Sequence, residues 1–189
     1  QQKPKDDEPP VFGPCKLLDF ELEMGFITYE GKPLGESIST EEADDYIFGM
    51  VLLNDWSARD IKKWEYAPLG CFNSKNSAST ISPWVITPEA LEPFKTPLAE
   101  EQNPELLPYL QEKDLHAYDL NLEVQFKSEK MKEFHTITTS NMKHLYYSIN
   151  QFIAHHTVSG CNMNTGDMLG TGTISSAEPE SGCGSLMER

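Results

Sequence analysis

Leu18-Asp19-Phe20-Glu21-Leu22-Glu23-Met24 alternates apolar and acidic residues without a break. A period of two means a strand, with Asp19, Glu21 and Glu23 on one face and Leu18, Phe20, Leu22 and Met24 on the other. The pattern carries on through Phe26-Ile27-Thr28-Tyr29 and turns at Glu30-Gly31-Lys32-Pro33. Carboxylates two residues apart on one face repel, so that face is either bathed in water or closed around a cation. The strand alone leaves both readings open.

Asp55 narrows the choice. It ends the apolar run Tyr46-Ile47-Phe48-Gly49-Met50-Val51-Leu52-Leu53, whose lack of alternation predicts a strand buried on both faces or a short buried helix. An acid at the end of such a run needs a partner. Arg59, four residues on, would make Asp55 a structural ion pair; a metal shared with Glu21 and Glu23 is the alternative. These donors are all oxygens, which favours Mg²⁺ or Ca²⁺ over zinc.

Thirty acidic residues against 15 basic ones give a formal charge of −15 in 189 residues. That excess argues against nucleic acid or an anionic membrane as partner, and the length suits one domain with its own core. No apolar run reaches membrane-spanning length. Residues 1–14 are polar and proline-rich and read as a linker, and the first residue is Gln rather than Met, which leads to the expectation of a fragment. Cys15, Cys71, Cys161 and Cys183 are widely spaced with no C-x-x-C pair, so a reducing, cytosolic setting is the default expectation.

Further along, Ser39-Thr40-Glu41-Glu42 has the form of a capping box and predicts a short helix. Lys62 to Ser82 lacks any period, and long loops of this kind tend to carry function. Ile81 to Ile86 predicts a strand and Glu89 to Leu91 a brief helix. Tyr118 to Phe126 alternates cleanly, with Phe134 to Thr138 as its hairpin partner. A helix capped by Ser140 or Asn141 is expected to run to about His156, with Leu145, Ile149, Phe152 and Ile153 inward and Gly160 past its end. Met168 to Ile174 reads as a strand broken by Gly170 and Gly172, where another group can approach closely. The expected class is mostly β with a few helices.

Other candidates are weaker. His155 and His156 point about 100° apart on a helix and cannot face one metal, and His116, His135 and His144 read as structural. Gly170-x-Gly172 lacks the third glycine of a dinucleotide loop, and there is no G-x-S-x-G elbow. Lys75, alone among small polar residues, is either a flexible surface lysine or an oxyanion stabiliser. Tyr66 is either a core anchor or a substrate hydrogen-bond donor.

The blocks Leu18 to Met24, Asn54-Asp55-Trp56-Ser57-Ala58-Arg59-Asp60-Ile61, Trp64-Glu65-Tyr66 and Thr171-Gly172-Thr173-Ile174-Ser175 together resemble the fumarylacetoacetase (fumarylacetoacetate hydrolase) family, in order and over nearly the whole chain. The resemblance implies a mixed β-sandwich roll, of which residues 15–189 are a part, with a small SH3-like N-terminal domain upstream and a homodimer. It implies Mg²⁺ or Ca²⁺ on four carboxylates, three of them matched by Glu21, Glu23 and Asp55. A second cation is implied near Asp55, Lys75 and Ser79, where Ser79 replaces a usual Thr. The implied activity is hydrolysis of a carbon–carbon bond in a diketo acid, fumarylacetoacetate, to fumarate and acetoacetate, the last step of tyrosine and phenylalanine breakdown. The resemblance makes Arg59, Lys75 and the Lys62 position oxyanion stabilisers, Tyr66 and Thr173 substrate contacts, and Glu188 the residue that orients the attacking water.

Lys62 departs from the family's usual Gln, and the turn at Ser176 to Gly184 is one residue longer than usual. The family's catalytic His and fourth metal-binding Asp lie upstream of residue 1, so the chain alone is expected to be inactive. Two alternatives stand beside this reading. One is a relative acting as acylpyruvate hydrolase or 2-oxo acid decarboxylase; the other is a non-catalytic acidic β-rich binding module.

Overall fold

In the computed structural model, which describes residue 3 and residues 8–189, the acid-apolar stretch folds as two pieces of strand. They are β1 (Leu18–Asp19) and β2 (Leu22–Thr28), parted at Phe20-Glu21. The break lets each piece take a different partner. β2 pairs antiparallel with β3 (Ile47–Asp55), whereas β1 pairs with β4 (Ser57–Ala58), placing Asp19 opposite Ser57.

Beyond β4 the chain forms α1 (Arg59–Glu65), β5 (Ser79–Ile81), α2 (Pro88–Leu91), β6 (Lys95–Thr96) and β7 (Ala117–Tyr118). There follow β8 (Asn121–Phe126), β9 (His135–Asn141), α3 (Ile149–Thr157) and β10 (Met168–Gly170). The largest sheet is antiparallel in the order β10-β2-β3-β5. β6 with β7 and β8 with β9 make separate antiparallel pairs, so the class is mostly β, as expected.

Both faces of β2 are covered. On the apolar face Leu22, Met24 and Phe26 join Ile149, Ile153 and Met163 in the core, and the Phe26 and Phe152 rings lie 6.5 Å apart. Each such side chain, fully buried, contributes about 1.5–3 kcal/mol. On the other face Glu23 and its neighbour Glu21 are buried as well, not water-bathed.

Several local expectations are corrected. The apolar run is a strand with buried residues on both faces, Met50 on one and Val51 and Leu53 on the other, but the burial is incomplete, since Phe48 and Leu52 on the Met50 face are exposed. Ser39 to Glu42 leads only into a 3₁₀ turn, Ala43–Tyr46; the Glu42 carboxylate does accept the Ser39 N–H, as in a capping box, and also binds the Ser39 hydroxyl and Lys32. The expected strand at Ile81 to Ile86 stops at Ile81, and beyond it only Ile86 bridges Met50. The last helix begins at Ile149, not near Asn141. Ser148 supplies the cap, and its hydroxyl and N–H exchange bonds with the Gln151 N–H and side chain. Asn141 instead caps a 3₁₀ turn, Met142–His144, which leaves Leu145 outside the helix though still against the core.

Candidate active site

The register of β2 on β3 sets Leu22 opposite Asn54, which brings Glu21 alongside Asp55. Two bonds lock that approach: Asn54 Oδ1 accepts from Glu21 N–H at 3.2 Å, and Glu21 carbonyl accepts from Asp55 N–H at 3.2 Å. One carboxylate oxygen from each of Glu21, Glu23 and Asp55 then lies within 4.8 Å of the others. The three acids singled out in the sequence are therefore one cluster.

Their electrostatics differ. Burial pushes the Glu23 carboxyl up to about 7, helped by the charges of Asp55 and Glu21 and opposed by the Gly172 N–H and Lys75. Burial also acts to raise Glu21, but the bond from Lys75 and the charges of Lys75 and Arg59 outweigh it and hold Glu21 below the usual range. Among the described residues Glu23 has no cation within salt-bridge distance, and its carboxylate accepts from Gly172 N–H at 3.1 Å.

Arg59 does not pair with Asp55. As the first residue of α1, directly after the β4 pairing with β1, it sends Nε to Asp19 Oδ2 at 2.8 Å and one terminal nitrogen to Glu21 Oε1 at 2.8 Å. Lys62, one helical turn on, brings Nζ to 3.7 Å from Glu21 Oε1. Lys75 is no flexible surface lysine: its ammonium bonds the Glu21 carboxylate and lies 2.7 Å from Asp55 Oδ2. The positive side of the site is thus Arg59, Lys62 and Lys75, all against Glu21.

The remaining candidates are not members of this cluster. Ser79 is exposed and stands opposite Asp55 in the β3–β5 register. Tyr66 is exposed at the end of α1. Thr173 is half-buried, next to Gly172, whose N–H meets Glu23, and its methyl packs where a Cβ on Gly184 would fall 2.6 Å away. Glu188 is exposed in the 3₁₀ turn Leu186–Glu188, bonded to the Ser175 and Ser185 hydroxyls. A cavity of about 380 Å³ lined by Phe20, Glu21, Asn54, Thr80 and Glu123 adjoins the cluster, on a side that Tyr66 and Thr173 do not line.

Asp19 joins two parts of this arrangement and carried no role in the sequence reading. It is almost fully buried, and besides Arg59 it accepts the N–H groups of Leu186 at 2.8 Å and Met187 at 3.1 Å. The signal was present as the first acid of the alternation, but nothing local could show that its partner is the turn before Glu188. The histidines stay outside the cluster, His155 against Tyr109 and His156 beside Cys161. No helix among the described residues is long and apolar enough to cross a membrane.

A family model for the fumarylacetoacetate (FAA) hydrolase C-terminal region matches residues 4–187. The chain is 57% identical over 188 residues to the fumarylacetoacetase of Dictyostelium discoideum, covering 97% of this chain and 44% of that protein. It is 51% identical over 188 residues to the fumarylacetoacetase of Homo sapiens, covering 100% of this chain and 44% of that one. The chain therefore spans less than half the length of these relatives. Among solved structures, yeast ynq8, a fumarylacetoacetate hydrolase family protein, matches with a TM-score of 0.56 at 16% identity, over 86% of this chain and 58% of that chain. The 5-carboxymethyl-2-hydroxymuconate delta-isomerase from Mycobacterium smegmatis matches with a TM-score of 0.54 at 16% identity, over 84% of this chain and 49% of that chain. At such identity these two speak for the fold alone.

Proposed function

The chain belongs to the fumarylacetoacetate hydrolase C-terminal family, and from that premise we propose that it supplies the metal-ligand strands of a fumarylacetoacetase. Residues 15–189 are then part of the catalytic domain, and residues 1–14 lead into it. The whole enzyme cleaves fumarylacetoacetate, a diketo acid, to fumarate and acetoacetate in the cytosol, in tyrosine and phenylalanine catabolism, as a homodimer. The observation that carries this reading is the convergence of Glu21, Glu23 and Asp55 within 4.8 Å.

The donor set suits a hard divalent ion, Mg²⁺ or Ca²⁺, because all its atoms are carboxylate oxygens. Glu23 supports the fit: a carboxyl raised to about 7 by burial first, and further by the charges of Asp55 and Glu21, gains most from a cation between these groups. When bound, such an ion supplies Lewis-acid polarisation of the diketone oxygens. Asp55 and the hydroxyl of Ser79, paired across two strands, are the protein's groups for a second cation beside Lys75.

The remaining work falls to side chains of this chain and of the rest of the enzyme. Water adds to a substrate carbonyl carbon, the adjacent carbon–carbon bond breaks, and the departing acetoacetate carbon takes up a proton. Glu188 orients that water from the Leu186–Glu188 turn. Arg59, Lys62 and Lys75 offset negative charge as it builds on the carbonyl oxygen. Lys62 adds a full positive charge 3.7 Å from Glu21, which a neutral side chain there would not. Tyr66 and Thr173 contact the substrate.

Assay of the full-length parent protein tests this reading. Loss of fumarylacetoacetate absorbance that needs Mg²⁺ or Ca²⁺, and that falls at least about a hundredfold in Asp55→Ala, is expected. A parent protein that leaves fumarylacetoacetate intact but turns over an acylpyruvate would replace it with the hydrolase or decarboxylase alternative.

A further inference from the structure

Glu65, the centre of the Trp64-Glu65-Tyr66 block, is absent from the proposed chemistry, yet its carboxylate is heavily used. Its oxygens accept the backbone N–H groups of Phe72 at 2.8 Å, Asn73 at 3.1 Å and Ser74 at 2.8 Å, and the Ser74 hydroxyl as well. Successive N–H groups converging on one anion form a concave seat of the kind that loops use for bound anions. Here the anion is the last residue of α1, and the loop is folded onto it.

The next residue in that loop is Lys75. Its own N–H donates to Phe72 carbonyl at 3.1 Å, and the carbonyl of fully buried Ser74 accepts from Ala58 N–H at 3.0 Å. The backbone at 72–75 is therefore held on one side by Glu65 and on the other by β4, the strand that precedes Arg59. Burial resists ionisation of Glu65, but the bonds from Ser74, Phe72 and Asn73 outweigh it and hold its pKa below the usual range. A lysine side chain has much rotamer freedom to lose, so it spans two carboxylates reliably only when its Cα is fixed.

We infer that Glu65 is a positioning residue for Lys75: by seating the 72–74 backbone on its carboxylate, it sets the Lys75 ammonium between Glu21 and Asp55. The inference rests on the proposed function only for its consequence in catalysis. The geometric claim concerns this chain's own residues.

Competitive labelling tests it without substrate. With a trace of acetic anhydride, Lys75 in the wild-type chain should be acetylated at least about tenfold more slowly than exposed Lys113, because its ammonium is held by two carboxylates. Glu65→Ala should bring Lys75 to within about threefold of Lys113 while leaving ion-paired Lys95 at its wild-type rate. A general loosening of the fold would raise Lys95 in step, and that result would overturn the inference. So would a Lys75 that stays protected in Glu65→Ala.

If Glu65→Ala does not fold, Ser74→Ala removes only the hydroxyl bond. It should raise Lys75 labelling severalfold, and unchanged labelling counts against the inference. Glu65→Gln keeps an oxygen for Phe72 and Ser74 but turns an amide toward Asn73 N–H, so an intermediate rate is expected. In the full-length protein, Glu65→Gln should lower kcat for fumarylacetoacetate with little change in KM. A parent protein without that activity would remove the proposed function and leave the labelling result standing.

Discussion

Asp19 Oδ2 and Arg59 Nε lie 2.8 Å apart, both nearly withdrawn from water, and the same carboxylate accepts the N–H groups of Leu186 and Met187. One acid at the end of β1, two residues before Glu21, thus fixes both the guanidinium that faces Glu21 and the turn that carries Glu188. Breaking a buried ion pair by removing one partner costs about 3–5 kcal/mol, because the other charge is left uncompensated. Asp19→Ala should therefore lower stability by about that much, read from urea denaturation midpoints. A loss under about 1 kcal/mol would mean that Arg59 is satisfied by Glu21 alone.

Metal binding should depend on each of the three clustered acids. Calorimetry with Mg²⁺ and with Ca²⁺ on the full-length protein should show at least about a tenfold loss of affinity in Glu23→Ala and in Asp55→Ala. Binding that is unchanged in both variants would favour the acidic binding module over the enzyme.

Glu23 also predicts a pH dependence. Its pKa is raised in the folded protein, from 4.5 to about 7, so the folded state holds this proton more tightly than the unfolded chain does. In metal-free protein the Glu23 contribution to stability must then fall as pH rises from about 4.5 to about 7, and level off above that, by on the order of 3 kcal/mol. The difference in stability between wild type and Glu23→Gln, measured in chelator from about pH 5 to about pH 8, isolates this contribution. A difference that does not change over that range would show that Glu23 ionises normally. Saturating Mg²⁺ should flatten the dependence, since the ion takes the place of the proton.

Gly170 faces Glu23 closely. A Cβ there would stand 2.7 Å from Glu23 Oε2 and 3.1 Å from Leu53 Cδ2, so Gly170→Ala must push the carboxylate aside or shift β10. Overpacking of this kind costs about 1–3 kcal/mol. Mg²⁺ affinity should fall as well, which calorimetry on the full-length variant would show. A variant that binds the ion as wild type does would mean that the carboxylate has room to move.

The sequence by itself showed the alternation that sets Glu21 and Glu23 on one face and offered Asp55 as a possible third member of their cluster, which the fold brings together. Those readings rest on strand period and on the cost of stranding an acid at the end of an apolar run, both local properties. The β8–β9 hairpin was legible for the same reason. The last helix was misplaced toward its start, because Asn141 and Ser148 are equally good caps in isolation and only the bonds with Gln151 choose between them.

What the tertiary structure decided was partners across long separations. Arg59 lies four residues from Asp55 in the chain, yet it turns to Asp19 and Glu21, because β4 pairs with β1 just before α1 begins. Lys75 became part of the site because a carboxylate ten residues earlier, Glu65, folds its loop back over the acids. Alternation states which face a side chain takes, but the charge it meets there is set by strands and loops that only the folded chain brings together.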